Sequence, residues 1–346
     1  MLRMYQIYKY FLCALMFIIG LQSHFIQAKE KIIIDADVGI DDTMAILYAS
    51  ASPVFELIGL TTTFGNASIE NSTRNACYII ERLGLDIPVV QGASVPLIIA
   101  PEPPTDFVHG DNGLGNVIVP TVHKKPQSTL SAAQFIIEQS KLYPNELTLV
   151  PIGRLTNIAL ALRLDPTLAS RIKRVVIMGG AFEVPGNVTP VAEANIIGDP
   201  HAADIVFQAD WDVVTIPLDV TTKIMVVEKD LAQVAISNPL AGGFIKEFTQ
   251  FYLDFHYEQG LNGFYIHDPS PFIYLEQPEL FSTKNAAIRV VTQGMAIGQT
   301  IAAFSPQRER LPQWQHVKVN TYANQVDSDK AKKLLLTRFS EVNFIK

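Results

Sequence analysis

Four carboxylates fall within eight residues near the amino end of this chain: Asp35, Asp37, Asp41 and Asp42, in Lys31-Ile-Ile-Ile-Asp35-Ala-Asp37-Val-Gly39-Ile-Asp41-Asp42-Thr43. No other stretch constrains the fold as strongly. Ile32 to Ile34 form an unbroken β-branched run, the pattern of a strand buried on both faces. Ile40, Met44, Leu47 and Tyr48 recur at helical spacing, so a helix opens near Asp41. Gly39 permits a tight strand-to-helix turn. The carboxylates therefore crowd the carboxyl end of a strand, where open α/β sheets bind ligands. Like charges that close raise one another's pKa unless a cation compensates them. A hard divalent cation is the simplest resident, and calcium tolerates flexible, carboxylate-rich geometry better than magnesium. The competing explanation is two helix-capping aspartates and two solvated ones, since Asp is favourable in a first helical turn.

Strand and helix patterns alternate along the rest of the chain. Phe55–Thr63 reads as a second strand running into the turn Phe64-Gly65-Asn66, and residues 68–83 as a helix. Pro88–Val90 reads as a third strand. Residues 93–128 are rich in Pro and Gly, and they contain His109-Gly110-Asp111-Asn112-Gly113-Leu114-Gly115. Long loops of this kind are often functional, although a loop histidine is more often solvated. Ser131 and Gln134 have capping-box spacing for a helix to about Leu142. Glu146–Ile152, Arg174–Met178 and Asp212–Ile216 read as three further strands, with a helix opening at Leu155-Thr156-Asn157 and another at Asp199-Pro200. Residues 222–260 look largely helical, residues 287–292 and 317–322 read as strands, and residues 330–339 as a closing helix. His267-Asp268 stands in a loop, where Asp268 could simply cap the next helix. Aromatic residues at 251–257 could line a pocket, though core packing is their commoner role. Alternating strands and helices imply an α/β fold, a mostly parallel central sheet with helices on both faces. Asp35, Asp37, Asn66, Ile152 and Met178 then share one sheet edge.

Residues 1–28 have the form of a secretory signal. Arg3 and Lys9 give a positive start, Tyr10–Leu21 is an apolar run short for a membrane span, and Gln27-Ala28 precedes Lys29 as a cleavage site. An uncleaved amino-terminal anchor is the alternative. The leader carries two positive and no negative side chains, so its removal takes the net charge from −7 to −9. An acidic exported protein is a poor partner for nucleic acid. Cys13 lies in the leader and leaves Cys77 alone, so an internal disulfide and a cysteine metal site are excluded. Residues 29–346 show no repeat or linker and are expected to form a single catalytic domain.

In order along the chain, Asp35-Ala-Asp37-Val-Gly39-Ile-Asp41-Asp42, Gly65-Asn66, His109-Gly110 with Gly113-Leu114, Pro151–Asn157, Met178-Gly179-Gly180-Ala181, Asn187–Asp199 and His267-Asp268 resemble the motifs of the inosine-uridine-type nucleoside hydrolases. The resemblance runs from about residue 31 to the carboxyl terminus and implies that family's Rossmann-like fold. It implies a calcium ion held by Asp37, Asp42, the Ile152 carbonyl and Asp268. It assigns Asp41 to the ribose 2′-hydroxyl, and Asn66, Asn187, Glu193 and Asn195 to further ribose contacts. Met178 would line the sugar site, His109 the base pocket, and His267 would be the leaving-group acid. Asp37 and His267 are then the catalytic pair. A homo-oligomer, dimer or tetramer, is implied by resemblance alone. Three positions depart from the family: Val38 stands where proline is usual, Arg154 replaces a proline or small residue beside Ile152, and Gly298-Gln299-Thr300 lacks an arginine.

The chemistry suits these residues. Cleaving an N-ribosidic bond builds positive charge on the ribose, which nearby carboxylates stabilise. A metal lowers the pKa of a water, and Asp37 can take the proton. His267 could supply a proton to the departing base near neutral pH. The expected activity is calcium-dependent hydrolysis of ribonucleosides to ribose and free base, with scavenging of external nucleosides by a periplasmic or secreted protein. Two alternatives stay open. A strand ending in Asp-x-Asp also resembles haloacid-dehalogenase-type phosphatases, in which Asp35 would be the nucleophile with magnesium. An exported nucleoside- or sugar-binding protein would keep the metal but needs no proton donor.

Overall fold

The computed structural model describes residues 28–127 and 129–345. The leader expected over residues 1–28 lies outside the described residues except for Ala28. Among the described residues there are eleven strands: β1 Glu30–Ala36, β2 Phe55–Thr62, β3 Val89–Gln91, β4 Leu147–Pro151, β5 Ile172–Met178, β6 Val213–Ile216, β7 Met225–Val226, β8 Phe264–Tyr265, β9 Phe281–Val290, β10 Thr300–Ala303 and β11 Val319–Val326. Nine of them form one sheet in the order β10-β9-β11-β6-β5-β4-β1-β2-β3, and β7 and β8 pair separately. From β3 to β11 all neighbours are parallel, while β9 runs antiparallel to both β11 and β10.

The isoleucine run explains the layering. Side chains alternate across a strand. Ile32 and Ile34 enter one apolar cluster with Met44, Ile80, Phe244, Phe272 and Leu335. Ile33 enters the other with Phe135, Ile158, Val206 and Phe207. The helices Ile40–Ala51, Ile69–Arg82, Pro239–Glu258, Ser270–Glu276 and Ser328–Glu341 cover the first face, and Ala132–Leu142, Thr156–Leu164 and Pro200–Gln208 the second. All three isoleucines are fully buried, which is why the run shows no polar alternation.

The chain winds outward from β1 in both directions, to β2 and β3 on one side and to β4, β5 and β6 on the other. Such a reversal opens a crevice beyond the strand carboxyl ends. Two backbone bonds fix its floor: the amides of Ile152 and Gly153 both donate to the Asp35 carbonyl, at 2.8 and 3.3 Å.

Several sequence expectations are corrected. β9 starts at Phe281, not 287, because Ser282–Asn285 are polar and mostly exposed and hide the strand pattern. β10, at four residues, is too short to show a period, and the short helices Gln307–Arg310 and Pro312–Gln315 carry too few apolar positions to be read. The segment 222–260 divides into β7, a helix Glu228–Ser237 and a helix Pro239–Glu258, broken where Asn238 caps Pro239. The loop 93–128 contains a one-turn helix, Asp106–His109.

Candidate active site

The acidic motif folds as two connected caps. Asp42 Oδ2 accepts the Gly39 amide at 2.8 Å and the Asn66 side-chain amide at 2.9 Å. Capping thus accounts for one of its oxygens, while Oδ1 is buried without a partner. Asp37 Oδ2 accepts the Asn66 amide at 2.7 Å and an ion-paired bond from Arg154 Nη1, while its Oδ1 has no partner. Asp268 does not cap the helix Ser270–Glu276, where no side-chain cap is made, and its Oδ2 is a third buried oxygen left unpaired. One oxygen each from Asp41, Asp42 and Asp268 lie within 4.8 Å of one another. The Asp41-Asp42 end of the motif therefore meets a residue from far along the chain.

Asp35 is separate from this group. Its Oδ1 accepts Thr61 Oγ1 at 2.6 Å and Asn157 Nδ2 at 2.8 Å, tying β1 to β2 and to the helix Thr156–Leu164. That is a structural post rather than an exposed nucleophile.

Burial raises every carboxyl pKa in the crevice. Asp41 is pushed up to about 7 by burial and then by the charge of Asp37. Asp42 and Asp268 are raised well above the usual carboxylate range by burial, then by neighbouring aspartates. Asp37 is raised by burial, with Arg154 opposing. A buried charge without a partner is costly, and a divalent cation among such oxygens removes the cost. The unpartnered atoms Asp37 Oδ1, Asp42 Oδ1 and Asp268 Oδ2 are all hard oxygen donors, so the donor set fits a calcium- or magnesium-like ion. The Ile152 carbonyl sits at the same strand ends and accepts Asn195 Nδ2 at 2.8 Å, which leaves one lone pair free.

A cavity of about 330 Å³ opens beside these oxygens. That is large enough for a small ligand. Asp41, Asn66, His109, Ile152, Met178, Asn187, Glu193, Asn195, His267 and Asp268 all line it. Asp37 and Asp42 stand behind its wall, fully buried. The parts are held by local bonds. Asn187 Oδ1 accepts the Ala194 amide at 3.0 Å. Glu193 caps the short helix Ala194–Gly198 with bonds from Asn195 and Ile196, and also accepts the Gly180 amide. Asn195 Nδ2 bonds the Ile152 and Met178 carbonyls, so that side chain links β4 to β5.

The other end of the cavity is a belt of rings. His109 stacks on Tyr252 with centroids 5.8 Å apart, and Tyr252 meets His256 at 4.3 Å. Tyr265 lies 6.1 Å from both His256 and His267. His109 is buried, not solvated: its Nδ1 accepts the Ile40 amide at 3.2 Å, so its proton sits on Nε2. His256 Nδ1 faces the Tyr252 carbonyl at 2.7 Å, so there the proton sits on Nδ1 and Nε2 is an acceptor. His267 Nδ1 shares a 2.8 Å bond with Thr221 Oγ1. Burial holds His109 and His267 neutral, each down to about 3, with Arg154 adding to the effect on His109 and His256 to that on His267. His267 therefore differs from the freely titrating histidine the sequence suggests.

The sequence left the roles of Arg154 and of the aromatic segment open and gave no sign of Phe107. Arg154 was a departure in loop shape and is instead the partner of Asp37. Tyr252, Phe255 and His256 line the cavity; their one-helix-face spacing was visible but is equally a core pattern. Phe107, exposed in the one-turn helix, meets Phe255 at the mouth with centroids 6.1 Å apart.

The family model of the inosine-uridine preferring nucleoside hydrolases matches residues 32–333. The chain is 44% identical over 274 residues to uridine nucleosidase 1 of Arabidopsis thaliana, spanning 79% of this chain and 81% of that one. Among solved structures, the plant nucleoside hydrolase PpNRh1 superposes with a TM-score of 0.86 at 36% identity, over 90% of this chain and 99% of that one. A purine-preferring ribonucleoside hydrolase from Gardnerella vaginalis gives a TM-score of 0.84 at 37% identity, over 90% and 98%.

Proposed function

The chain belongs to the family of inosine-uridine preferring nucleoside hydrolases, enzymes of N-glycosyl bonds, and from that membership we propose that it is a calcium-dependent ribonucleoside hydrolase of the cell exterior. One observation carries the calcium reading: three buried, unpartnered carboxylate oxygens, from Asp37, Asp42 and Asp268, beside a cavity lined by polar groups. Oxygen-only, carboxylate-rich donors favour calcium over zinc, and a set of several carboxylates suits calcium better than magnesium, which keeps more of its waters.

Each residue has a task in this proposal. Asp37, Asp42, Asp268 and the Ile152 carbonyl would hold the ion. When bound, the ion supplies positive charge that acidifies a water and anchors sugar hydroxyls. Asp37 Oδ2 is fixed by Asn66 and Arg154, so Oδ1 is the atom free to take a proton from attacking water. Asp41, with Asn66, Asn187, Glu193 and Asn195 around it, accepts the ribose hydroxyls and faces the positive charge that grows on the ring. Met178 packs under the sugar. At the base end His109 Nε2–H donates and His256 Nε2 accepts, which gives the base one fixed donor and one fixed acceptor. Neutral His267 hydrogen-bonds the departing base, and it takes its proton from water as the base leaves. Closing the ring belt over the sugar excludes bulk water and strengthens these interactions.

Incubation with inosine, uridine and a phosphate ester, with and without chelator, tests the proposal. Ribose release abolished by chelator and restored by calcium is expected. Phosphate release instead would restore the phosphatase alternative, although buried Asp35 argues against it; nucleoside binding without product would restore the binding-protein alternative. The leader supports export, and among the described residues no helix is long and apolar enough to cross a membrane. Fractionation of cells carrying a carboxyl-terminal tag checks that compartment. The dimer or tetramer implied by family resemblance is read by light scattering.

A further inference from the structure

Arg154 lies where no positive charge is needed by the local backbone. It is buried, 7% exposed, in a crevice that also buries Asp37, Asp41, Asp42, Glu193 and Asp268. Its Nη1 pairs with Asp37 Oδ2 and lies 3.5 Å from Asn195 Oδ1. Among the described residues no other lysine or arginine pairs with any of those five carboxylates; His109 alone approaches one, at 3.9 Å from Asp41. The other arginine and lysine pairs of the chain involve at least one partner with more exposure, at the surface.

The slot for the guanidinium is shaped by two glycines. A Cβ on Gly65 would stand 2.2 Å from Arg154 Nη1 and 2.3 Å from its Cζ, and Gly65 has φ +146°, which L side chains rarely adopt. A Cβ on Gly198 would stand 2.6 Å from Arg154 Cγ and Nε. The turn at Gly65 and the end of the helix Ala194–Gly198 thus leave room for one side chain, which fixes it against Asp37.

We propose that Arg154 is a resident counter-ion of the acidic crevice: it holds Asp37 Oδ2, leaves only Oδ1 to a divalent ion, and keeps the crevice folded when that ion is absent. The inference rests on the calcium reading above and names a regulator of that same site. Its consequence follows from charge. Arg154 and the divalent ion neutralise the same carboxylates, so each is worth less when the other is present, and the coupling between them is negative. A chain lacking the guanidinium is less stable without metal and gains more from binding it. Arg154 acts through Asp37 and is a positioning residue; it need not touch the nucleoside.

The test uses the full chain with calcium chloride as the probe. Wild type, Arg154→Met and Arg154→Lys are stripped with chelator. Thermal midpoints are read in chelator, and calcium affinity by titration calorimetry after the chelator is removed. For Arg154→Met the chelated midpoint should fall by about 3 °C or more. Its calcium dissociation constant should fall about tenfold, and calcium should raise its midpoint more than it raises that of wild type. Arg154→Lys keeps the charge and should stay within about threefold of wild type. A methionine variant that folds only with calcium is the extreme form of the expected result. If that variant folds in neither condition, the lysine variant decides: wild-type affinity supports the role, and binding tightened tenfold with the charge retained overturns it. Equal or weaker calcium binding by a folded Arg154→Met overturns the role of Arg154 alone. A wild type that takes no calcium overturns the metal reading beneath it.

Discussion

The two ends of the cavity are built on opposite principles. At the acidic end, polar groups are left over: Asp37 Oδ1, Asp42 Oδ1 and Asp268 Oδ2 are buried with nothing to bond. At the base end the histidines are already satisfied, with His109 fixed by the Ile40 amide, His256 by the Tyr252 carbonyl and His267 by Thr221. Unpaired buried charge is stable only if something arrives to neutralise it. A ring locked by its backbone partner needs nothing, and offers a fixed pattern to whatever enters. On the function proposed above, the acidic end would serve an ion and a charged transition state, and the ring-lined end would serve recognition of the base.

The largest expected effect breaks the acidic end. Asp37→Ala should bind calcium at least tenfold more weakly and lose turnover on the order of 10³-fold on every nucleoside, as when a positioned base is removed. Calorimetry and ribose release check the two halves separately. Normal turnover would remove Asp37 from the mechanism.

The next effect separates the ends. His267→Gln should cut kcat roughly 10²-fold while leaving calcium affinity within about twofold, because the ring acts on the base and not on the ion. Joint loss of both properties would show that the ends are not independent. His109→Ala should act mainly on KM, by about tenfold, since it removes one oriented donor. A uniform fall in kcat with unchanged KM would contradict its placement at the base.

A stability measurement sharpens the contrast without substrate. Asp35 and Asp41 have folded pKa values pushed up to about 7, above their unfolded value, so the folded chain holds more protons across that interval. Their contribution is fully present below the unfolded value and is lost as pH rises through about 7. His109 and His267, lowered to about 3, oppose this only below their unfolded value near 6.5. Metal-free protein should therefore lose stability from about pH 6.5 until both aspartates are ionised just above about pH 7, and calcium should flatten the share due to Asp41, since Asp35 stands apart from the ion's oxygens. Thermal midpoints across that range, with chelator and with calcium, check it. A flat metal-free profile would mean that the acidic end is compensated by some other group.

The smallest effect lies at the mouth. The Phe107–Phe255 edge contact is worth about 0.5–1.5 kcal/mol. Phe255→Ala should raise KM a few fold without changing calcium affinity.

The acidic end was legible because it is local. Asp37, Gly39, Asp41 and Asp42 follow one strand, and a three-residue apolar run announces that strand and its burial. The α/β alternation, the caps at Ser131 and Asp199, and most strand positions follow from periodicity in the same way. The first half of β9 was not legible, since a half-exposed antiparallel strand tolerates polar residues, and the edge strand β10 is only four residues long. At the base end the signal is dispersed over the helix Pro239–Glu258, the turn at His109 and the strand β8, and no single stretch marks it.

What the sequence alone determined is the kind of chemistry: carboxylates, asparagines and histidines at strand ends, in family order, on a parallel sheet. Only the tertiary structure decided which oxygens are left unpaired, which ring nitrogens carry protons, and that Arg154 answers Asp37. Residue types are written in the chain, but a donor's partner, a charge's burial and a ring's tautomer depend on atoms that meet only after the strands and loops have packed together.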